Sequence, residues 1–263
     1  MDLRELGATG VMVPEVGLGT WEYRGGVAPL RRGIELGATL IDTAEIYGTE
    51  GVVGEAVRGL RDRVFLATKV SGDHLKYDRV LRAAGASLKR LGVDVIDLYQ
   101  VHWPDSSIPI RDTMRAMGEL VDAGKVRFIG VSNFSVAELE AAQASLANQR
   151  IVANQVEYNL LDRRIERDLP YYQRERITVI AYSPLARGAL LSSRRTPALD
   201  LLRAVAAEAG KTPAQVALNW CLSHPGVITI PKTDHVDRVD ELCAASGWRL
   251  TDAQLAALDR AFP

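Results

Sequence analysis

Four polar residues that could carry acid–base chemistry lie just after hydrophobic segments of the chain, namely Asp42, Tyr47, Lys69 and His102. A phenol has a pKa of about 10, so it is a weak acid at neutral pH. A nearby ammonium group stabilises the phenolate and lowers that pKa, and a carboxylate beside the ammonium keeps it charged and oriented. A histidine can hydrogen-bond the oxygen of a substrate. We therefore expect these residues to protonate the oxygen of a carbonyl group as it becomes an alcohol, with the hydride supplied by a cofactor.

The elements that must hold these residues alternate between strand and helix along the chain. Hydrophobic runs and helical periodicity predict eight strands, each followed by helix. The strands are expected at 16–18, 39–41, 64–69, 95–101, 126–131, 152–156, 177–181 and 227–230. The helices are expected at 28–36, 52–60, 80–91, 110–121, 136–146, 166–174, 199–209, 213–222, 236–244 and 252–262. Before them, residues 3–6 and 11–16 flank a Gly7–Gly10 turn and predict a β-hairpin.

Eight such units in 263 residues favour a closed (β/α)8 TIM barrel whose bottom is closed by the N-terminal β-hairpin. A doubly wound sheet needs roughly five or six strands and a GxGxxG loop after the first, and the segment 17–22 lacks the third glycine. No linker or change in composition interrupts residues 1–263, so we expect a single domain. The carboxyl ends of barrel strands share one mouth, which brings the four polar residues together.

Composition narrows the function. The chain is 47% hydrophobic, has a net charge of -1 and a pI near 6.5, and so lacks the basic excess of nucleic-acid or membrane-surface proteins. The two cysteines, Cys221 and Cys243, lie in apolar helix-like segments and are expected to be core residues rather than a disulfide. No apolar run approaches membrane-spanning length and the first residues show no signal peptide, so we expect a cytoplasmic enzyme. We also expect a monomer.

The sequence lacks the motifs of several other kinds of active site and metal site. There is no Tyr-x-x-x-Lys pair of the short-chain dehydrogenase kind. The segment 130–134 lacks the final glycine of the hydrolase motif G-x-S-x-G. The four histidines show no metal-ligand spacing, and Cys221 with His224 forms one C-x-x-H pair without a second. We therefore expect no metal site.

A series of short motifs resembles the aldo-keto reductases through essentially the entire chain, and their order and spacing are more specific than any single one. The motifs are Leu18–Trp21, Ile41–Ala44 with Tyr47 and Gly48, Thr68 with Lys69, Leu98–Trp103, Gly130–Phe134, Asn154–Val156, Ala181–Leu185 and Ile230–Thr233. By this resemblance Tyr47 is the proton donor, Lys69 and Asp42 tune it, and His102 orients the substrate.

The resemblance also implies a site for NADPH, with NADH possible. Around the strand ends it assigns Gly19, Thr20, Trp21 and Asp42 to the cofactor, Ser132, Asn133 and Gln155 to its carboxamide, and Tyr182 to stacking on the nicotinamide. It assigns Ser183, Pro184 and Leu185 to a loop across the pyrophosphate, Lys232, Thr233 and Arg238 to the 2′-phosphate, and Glu241 to the adenine end. Two residues depart from the family pattern there: Asp234 brings a negative charge near the phosphate, and Leu242 replaces a frequent asparagine.

The expected substrate pocket consists of Trp21, Tyr47, His102 and Trp103, in which the indoles supply apolar walls. The connection 104–109 is short, which indicates an open mouth for small aldehydes, ketones or dicarbonyls. Two other functions stay open at this point. One is a nucleotide-sensing regulatory subunit with the same fold, and the other is a barrel lyase or isomerase that uses Lys69 as a Schiff base.

Overall fold

The computed structural model describes residues 1–263 and contains ten strands, numbered here in chain order. The strands are β1 Leu3–Glu5, β2 Met12–Pro14, β3 Leu18–Gly19, β4 Leu40–Asp42, β5 Phe65–Val70, β6 Ile96–Val101, β7 Val126–Ser132, β8 Ile151–Glu157, β9 Thr178–Tyr182 and β10 Val227–Thr229. The α-helices are α1 Val27–Glu35, α2 Glu50–Val57, α3 Tyr77–Leu91, α4 Ile110–Asp122, α5 Val136–Ala144, α6 Leu169–Glu175, α7 Pro197–Ala209, α8 Pro213–Leu222, α9 Val236–Cys243 and α10 Asp252–Ala261.

Strands β3 to β10 form one parallel sheet in chain order, and the sheet closes on itself. Val16 bridges Thr229 in parallel, and the amide of Gly19 donates to the carbonyl of Pro231 at 3.0 Å. A Cβ at Gly19 would lie 2.6 Å from the carbonyl oxygen of Ile230, so glycine allows the first and last strands to meet. The predicted eight-stranded barrel is confirmed.

The N-terminal hairpin closes the bottom of the barrel, as predicted. Strands β1 and β2 pair antiparallel, and Leu6 and Val13 pack among the inward-facing side chains of Leu40, Leu98 and Ile228. Both hairpin residues are fully buried, and each contributes about 1.5–3 kcal/mol through the apolar surface that it removes from water.

The helices cover the outside of the sheet through one apolar face each. In α3 that face includes Val80, Ala84 and Leu91, which join a core cluster of 55 buried residues. The helix ends at Gly92, whose φ of 66° is a left-handed conformation that glycine adopts without strain. This outer core fixes the strand ends on which the polar residues stand.

One predicted helix differs from the structure. The segment 166–174 is not a single α-helix: a 3-10 turn covers Arg164–Asp168, and α6 begins only at Leu169. Pro170 lies in the first turn of α6, where its missing N–H leaves no helix hydrogen bond unmade. An α-helix that ran through Pro170 from further upstream would lose such a bond, so the proline sets the start of the helix.

Three expectations from composition can be compared with the structure. Cys221 and Cys243 are both free and buried, which confirms that they are core residues. No cluster of histidine, cysteine and acidic residues has the arrangement of a metal site. None of the helices combines the length and the apolar character that a membrane crossing requires.

Candidate active site

Tyr47 stands on a short turn that is fixed to the neighbouring strand. After β4 the chain forms a 3-10 turn at Glu45–Tyr47, which Gly48 ends with a φ of 70°. The carboxylate of Glu45 accepts hydrogen bonds from the amide of Ser71 and from Nδ1 of His74. Because Ser71 follows the strand that carries Lys69, this contact holds the turn with Tyr47 beside that strand.

Lys69 is fully buried and is held as an ammonium ion. Its Nζ donates to Oδ1 of Asp42 at 2.5 Å, to the carbonyl of Thr43 at 2.9 Å and to the phenolic oxygen of Tyr47 at 3.4 Å. Burial is the largest single effect and would lower the pKa of Lys69, but the charges and hydrogen bonds of Asp42 and Tyr47 together outweigh it, and the pKa is raised. A Schiff base requires a neutral amine, so this environment disfavours that chemistry.

The second oxygen of Asp42 is held by two amides. Oδ2 accepts hydrogen bonds from Nε2 of Gln155 at 2.8 Å and from Nε2 of Gln100 at 3.2 Å. The family motifs assign no role to Gln100, although a glutamine within the apolar strand β6 is itself a signal, because a buried polar group needs a partner. A Cβ at Gly130 would lie 2.9 Å from Cγ of Gln100, so glycine there makes room for this side chain.

The phenol of Tyr47 is protonated in this environment. Its oxygen lies 3.3 Å from Nε2 of His102. Burial raises the pKa of Tyr47, the charge of Lys69 opposes that effect, and the net direction is upward. Lys69 acts on this pKa in the expected direction, but it does not bring the pKa below its ordinary value, because burial disfavours the phenolate more than the ammonium, itself paired with Asp42, favours it.

His102 is neutral at physiological pH. Burial, together with the positive charge of Lys69, lowers its pKa to about 3. Its Nε2 faces Tyr47, and its Nδ1 is buried without a hydrogen-bond partner in the protein. A neutral imidazole can donate through one ring nitrogen and accept through the other, which suits the recognition of a substrate oxygen.

Two exposed indoles stand beside this group. Trp21 is 51% exposed, and its ring centroid lies 4.9 Å from that of Tyr47 in an edge-on arrangement. Trp103 is 52% exposed and directly follows His102 in the chain. Ile46, which the sequence did not single out, is similarly exposed. These side chains offer an apolar surface at the carboxyl mouth of the barrel, and the substrate pocket assigned to this place stays a prediction.

The predicted carboxamide residues form one network with His102. Nδ2 of Asn133 donates to the carbonyl of His102 at 3.1 Å and to Oγ of Ser132 at 3.0 Å. The hydroxyl of Tyr182 donates to Oδ1 of Asn133 at 3.0 Å. The hydroxyl of Ser132 donates to the carbonyl of Gln155, and both of these residues are buried. Asn133 and Tyr182 are thus the more accessible members of the set.

Gly19 and Thr20 are both buried. Thr20 is fully buried, and its hydroxyl donates to the carbonyl of Asp42 at 2.9 Å and contacts the hydroxyl of Thr49 at 3.0 Å. Gly19 is buried where the barrel closes. Thr20 thereby helps to position the strand end that carries Asp42, and the cofactor contacts assigned to Gly19 and Thr20 stay predictions.

The segment after β9, which includes Pro184 and Leu185, has an unusual backbone. Ser183, Ala186 and Arg187 have φ values of 48°, 49° and 53°, a left-handed region that costs non-glycine residues about 1–2 kcal/mol each. Nδ2 of Asn159 donates to the carbonyl of Ser183 at 3.0 Å and fixes the start of the segment. This is the loop that the sequence assigns to the pyrophosphate.

The residues that are predicted to bind the adenosine end of the cofactor lie after β10 and on α9. Lys232 and Thr233 follow β10, and Nζ of Lys232 lies 2.5 Å from Oδ2 of Asp234. Arg238 is exposed on α9, where Glu241 is half-buried. Leu242 is buried in a small core cluster with Leu218 and Leu222, among others.

A surface cleft lies away from this site. It has a volume of about 980 Å³ and lies among α2, the end of α3 and the start of β6. Two of its cations, Arg61 and Arg127, are paired with Asp97. None of the four predicted catalytic residues lines it. A third cation of its lining, Arg90, is paired with Glu50.

A closed parallel barrel with a charged Asp–Lys pair, a tyrosine and a neutral histidine at its carboxyl mouth has the features of a carbonyl-reducing oxidoreductase. The model of the Aldo/keto reductase family matches residues 15–262 of the chain. The chain belongs to the aldo/keto reductase family.

Relatives of known sequence and structure agree with this assignment. Methylglyoxal reductase YeaE of Escherichia coli is 40% identical over 264 residues, which cover 96% of this chain and 92% of the relative. Glyoxal reductase of Bacillus subtilis is 35% identical and covers 95% and 89% of the two chains. The crystal structure of an aldo-keto reductase from Klebsiella pneumoniae in complex with NADPH has a TM-score of 0.91 and 39% identity, and covers 100% of this chain and 96% of that one.

Proposed function

We propose that this protein reduces small aldehydes, ketones or dicarbonyls to alcohols with NADPH, and that Tyr47 is the proton donor. The observation that carries the proposal is the position of the Tyr47 hydroxyl, 3.3 Å from Nε2 of His102 and 3.4 Å from Nζ of Lys69. A protonated phenol that lies between a neutral imidazole and an ammonium ion is arranged to give up its proton to an oxygen.

The side chains at the mouth fit a nicotinamide dinucleotide. Asn133 and Tyr182 present amide and hydroxyl groups next to His102, whose Nδ1 has no partner within the protein. Lys232 offers a cation after the last strand, suited to a phosphate. NADPH supplies the hydride when it is bound. Relatives named methylglyoxal reductase and glyoxal reductase, and a related structure that contains NADPH, support this choice.

Each residue of the site has a distinct task in the proposed reaction. His102 hydrogen-bonds the carbonyl oxygen of the substrate and orients it towards Tyr47. Tyr47 transfers its proton to that oxygen, and the ammonium of Lys69 stabilises the phenolate that forms. Asp42 keeps Lys69 charged, while the amides of Gln100 and Gln155 hold Asp42 in place.

The apolar surface near Tyr47 favours a compact substrate over a strongly charged one. Trp21 presents its ring at the edge of the Tyr47 ring, and Trp103 and Ile46 are exposed at the same mouth. Carbonyl compounds with short alkyl or acyl groups can bury those groups there, while their oxygen reaches the polar residues.

The proposal is tested with the purified protein and a panel of aldehydes, ketones and dicarbonyls that includes methylglyoxal and glyoxal. Consumption of NADPH is followed by its absorbance, and the alcohol product is identified. We expect turnover of several members of the panel. A protein that binds NADPH but reduces none of them would instead be a nucleotide-sensing regulatory subunit. Modification of Lys69 by borohydride in the presence of a carbonyl compound would indicate Schiff-base chemistry.

A further inference from the structure

The predicted phosphate-binding lysine already has a partner within the chain. Oδ2 of Asp234 lies 2.5 Å from Nζ of Lys232, and both side chains are 30% exposed. The pair lies immediately after β10, where the sequence predicts the 2′-phosphate of the cofactor. A phosphate that approaches Lys232 must therefore share it with a carboxylate or displace that carboxylate.

The same carboxylate also fixes the loop between β3 and α1. Oδ1 of Asp234 accepts a hydrogen bond from the amide of Arg24 at 2.8 Å. The loop packs closely on this residue, because a Cβ at Gly25 would lie 2.8 Å from the carbonyl oxygen of Asp234. Trp21, which contacts the ring of Tyr47, belongs to the same loop. One side chain thus connects the predicted phosphate site with the loop of the predicted substrate pocket.

We propose that Asp234 is a specificity-determining residue. Its carboxylate competes with the 2′-phosphate for Lys232 and so reduces the preference of this enzyme for NADPH over NADH. This inference rests on the proposed function. A phosphate group is repelled by the carboxylate and gains less from a lysine that is already neutralised. A dinucleotide without the phosphate leaves the pair intact, and its ribose hydroxyl can donate to a carboxylate, the interaction by which many enzymes recognise NADH.

The size of the effect follows from the exposure of the pair. A partly exposed ion pair contributes little, so removing the carboxylate should change phosphate affinity about two- to fivefold. Salt screens such interactions, and the difference should therefore be larger at low ionic strength and shrink as salt is added.

The primary test is the substitution Asp234→Asn in the full-length protein. Asparagine keeps the volume and an oxygen that can accept from the amide of Arg24, but it removes the charge. Dissociation constants for NADPH and NADH are measured by quenching of protein fluorescence at low and high salt. We expect NADPH to bind about two- to fivefold more tightly at low salt and NADH to change less than about twofold. An unchanged ratio of the two constants would overturn the inference.

A matched control distinguishes the contact between Asp234 and Lys232 from a general effect of net charge. Asp237 is exposed in the first turn of α9 and forms no ion pair, so Asp237→Asn makes the same change in net charge nearby. We expect it to leave the ratio of the two dissociation constants unchanged. An equal effect from Asp237→Asn would show that the competition is not specific to Asp234.

A second variant distinguishes competition from loop anchoring. Asp234→Ala removes both the charge and the contact to Arg24, so we expect the same gain in NADPH affinity and a higher KM for the carbonyl substrate. A higher KM without any gain in NADPH affinity would show that Asp234 only anchors the loop, and this result would overturn the inference.

Thermal unfolding verifies that each variant is folded. A wild-type protein that binds neither dinucleotide would refute the proposed function itself, whereas binding of both with an unaltered ratio in Asp234→Asn refutes the role of Asp234 alone.

Discussion

The ammonium group of Lys69 lies 3.4 Å from the phenolic oxygen of Tyr47, but it is closer, at 2.5 Å, to the carboxylate of Asp42. Asp42 therefore keeps the lysine charged and at the same time reduces the field that the lysine exerts on the phenol. Burial then dominates, and the pKa of Tyr47 is raised rather than lowered. The resting protein consequently holds the proton that carbonyl reduction requires.

The pH dependence of reduction should reflect this raised pKa. Reduction requires protonated Tyr47, so kcat/KM should stay level from neutral pH to about pH 9 and fall only above the ordinary phenol pKa of about 10. His102, with a pKa of about 3, should add no inflection between pH 6 and 8. The profile is measured with a carbonyl compound that does not ionise in this range. A decline of activity between pH 7 and 8, in a protein that stays folded, would contradict the assignment.

Removal of the lysine should strongly destabilise the fold. Lys69→Met leaves Asp42 as a buried charge without its cation, which should lower the free energy of unfolding by about 3–5 kcal/mol. Adding Asp42→Asn should restore part of that loss, because the buried charge is removed. Denaturant unfolding measures both variants, with the exposed Lys89→Met as a control that should change little. A double variant that is less stable than Lys69→Met would show that the two residues are not coupled in this way.

Gln100 should stabilise the folded protein through its hydrogen bond to Asp42. Gln100→Leu removes one hydrogen bond to a charged group and should lower the free energy of unfolding by about 1–2 kcal/mol. Gln100→Glu should be worse, because it places a second carboxylate next to Asp42 in a buried site. Urea unfolding at neutral pH compares the two variants. Wild-type stability of Gln100→Glu would be incompatible with the network described here.

Lys232 should contribute more to the binding of NADPH than to the binding of NADH. Lys232→Ala removes the cation expected at the 2′-phosphate, so we expect the dissociation constant of NADPH to rise about tenfold and that of NADH to change less than about twofold. Fluorescence titration with each dinucleotide measures both constants. Equal losses for the two dinucleotides would mean that the lysine does not recognise the 2′-phosphate.

Chain order and polar residues after apolar runs were sufficient to predict the barrel and to bring Asp42, Tyr47, Lys69 and His102 to one mouth. The features that could not be predicted depend on contacts between residues that lie far apart in the sequence. The contact of Gln100 with Asp42 spans 58 residues, and that of Arg24 with Asp234 spans 210. The direction of the Tyr47 pKa depends on the balance between burial and a charge that is itself paired, which no local pattern contains.

Two further features that local sequence did not reveal are the buried side chains of Thr20 and Leu242. Thr20 and Leu242 lie in motifs or positions that the family resemblance links to the cofactor, yet both side chains are buried in this protein. Local sequence does not tell whether a threonine at a strand end faces the mouth or the wall of the barrel. The start of α6 could have been predicted, because Pro170 restricts where an α-helix can begin.

The most direct test of the proposed chemistry is Tyr47→Phe, which removes one hydroxyl and keeps the ring that packs against Trp21. Turnover of a carbonyl compound and the dissociation constant of NADPH are measured on the same preparation. We predict that kcat falls by at least about 10²-fold while the dissociation constant changes less than about twofold, because the hydroxyl acts on the substrate. Retention of most of the activity, or loss of NADPH binding in its place, would contradict the role of Tyr47 as the proton donor.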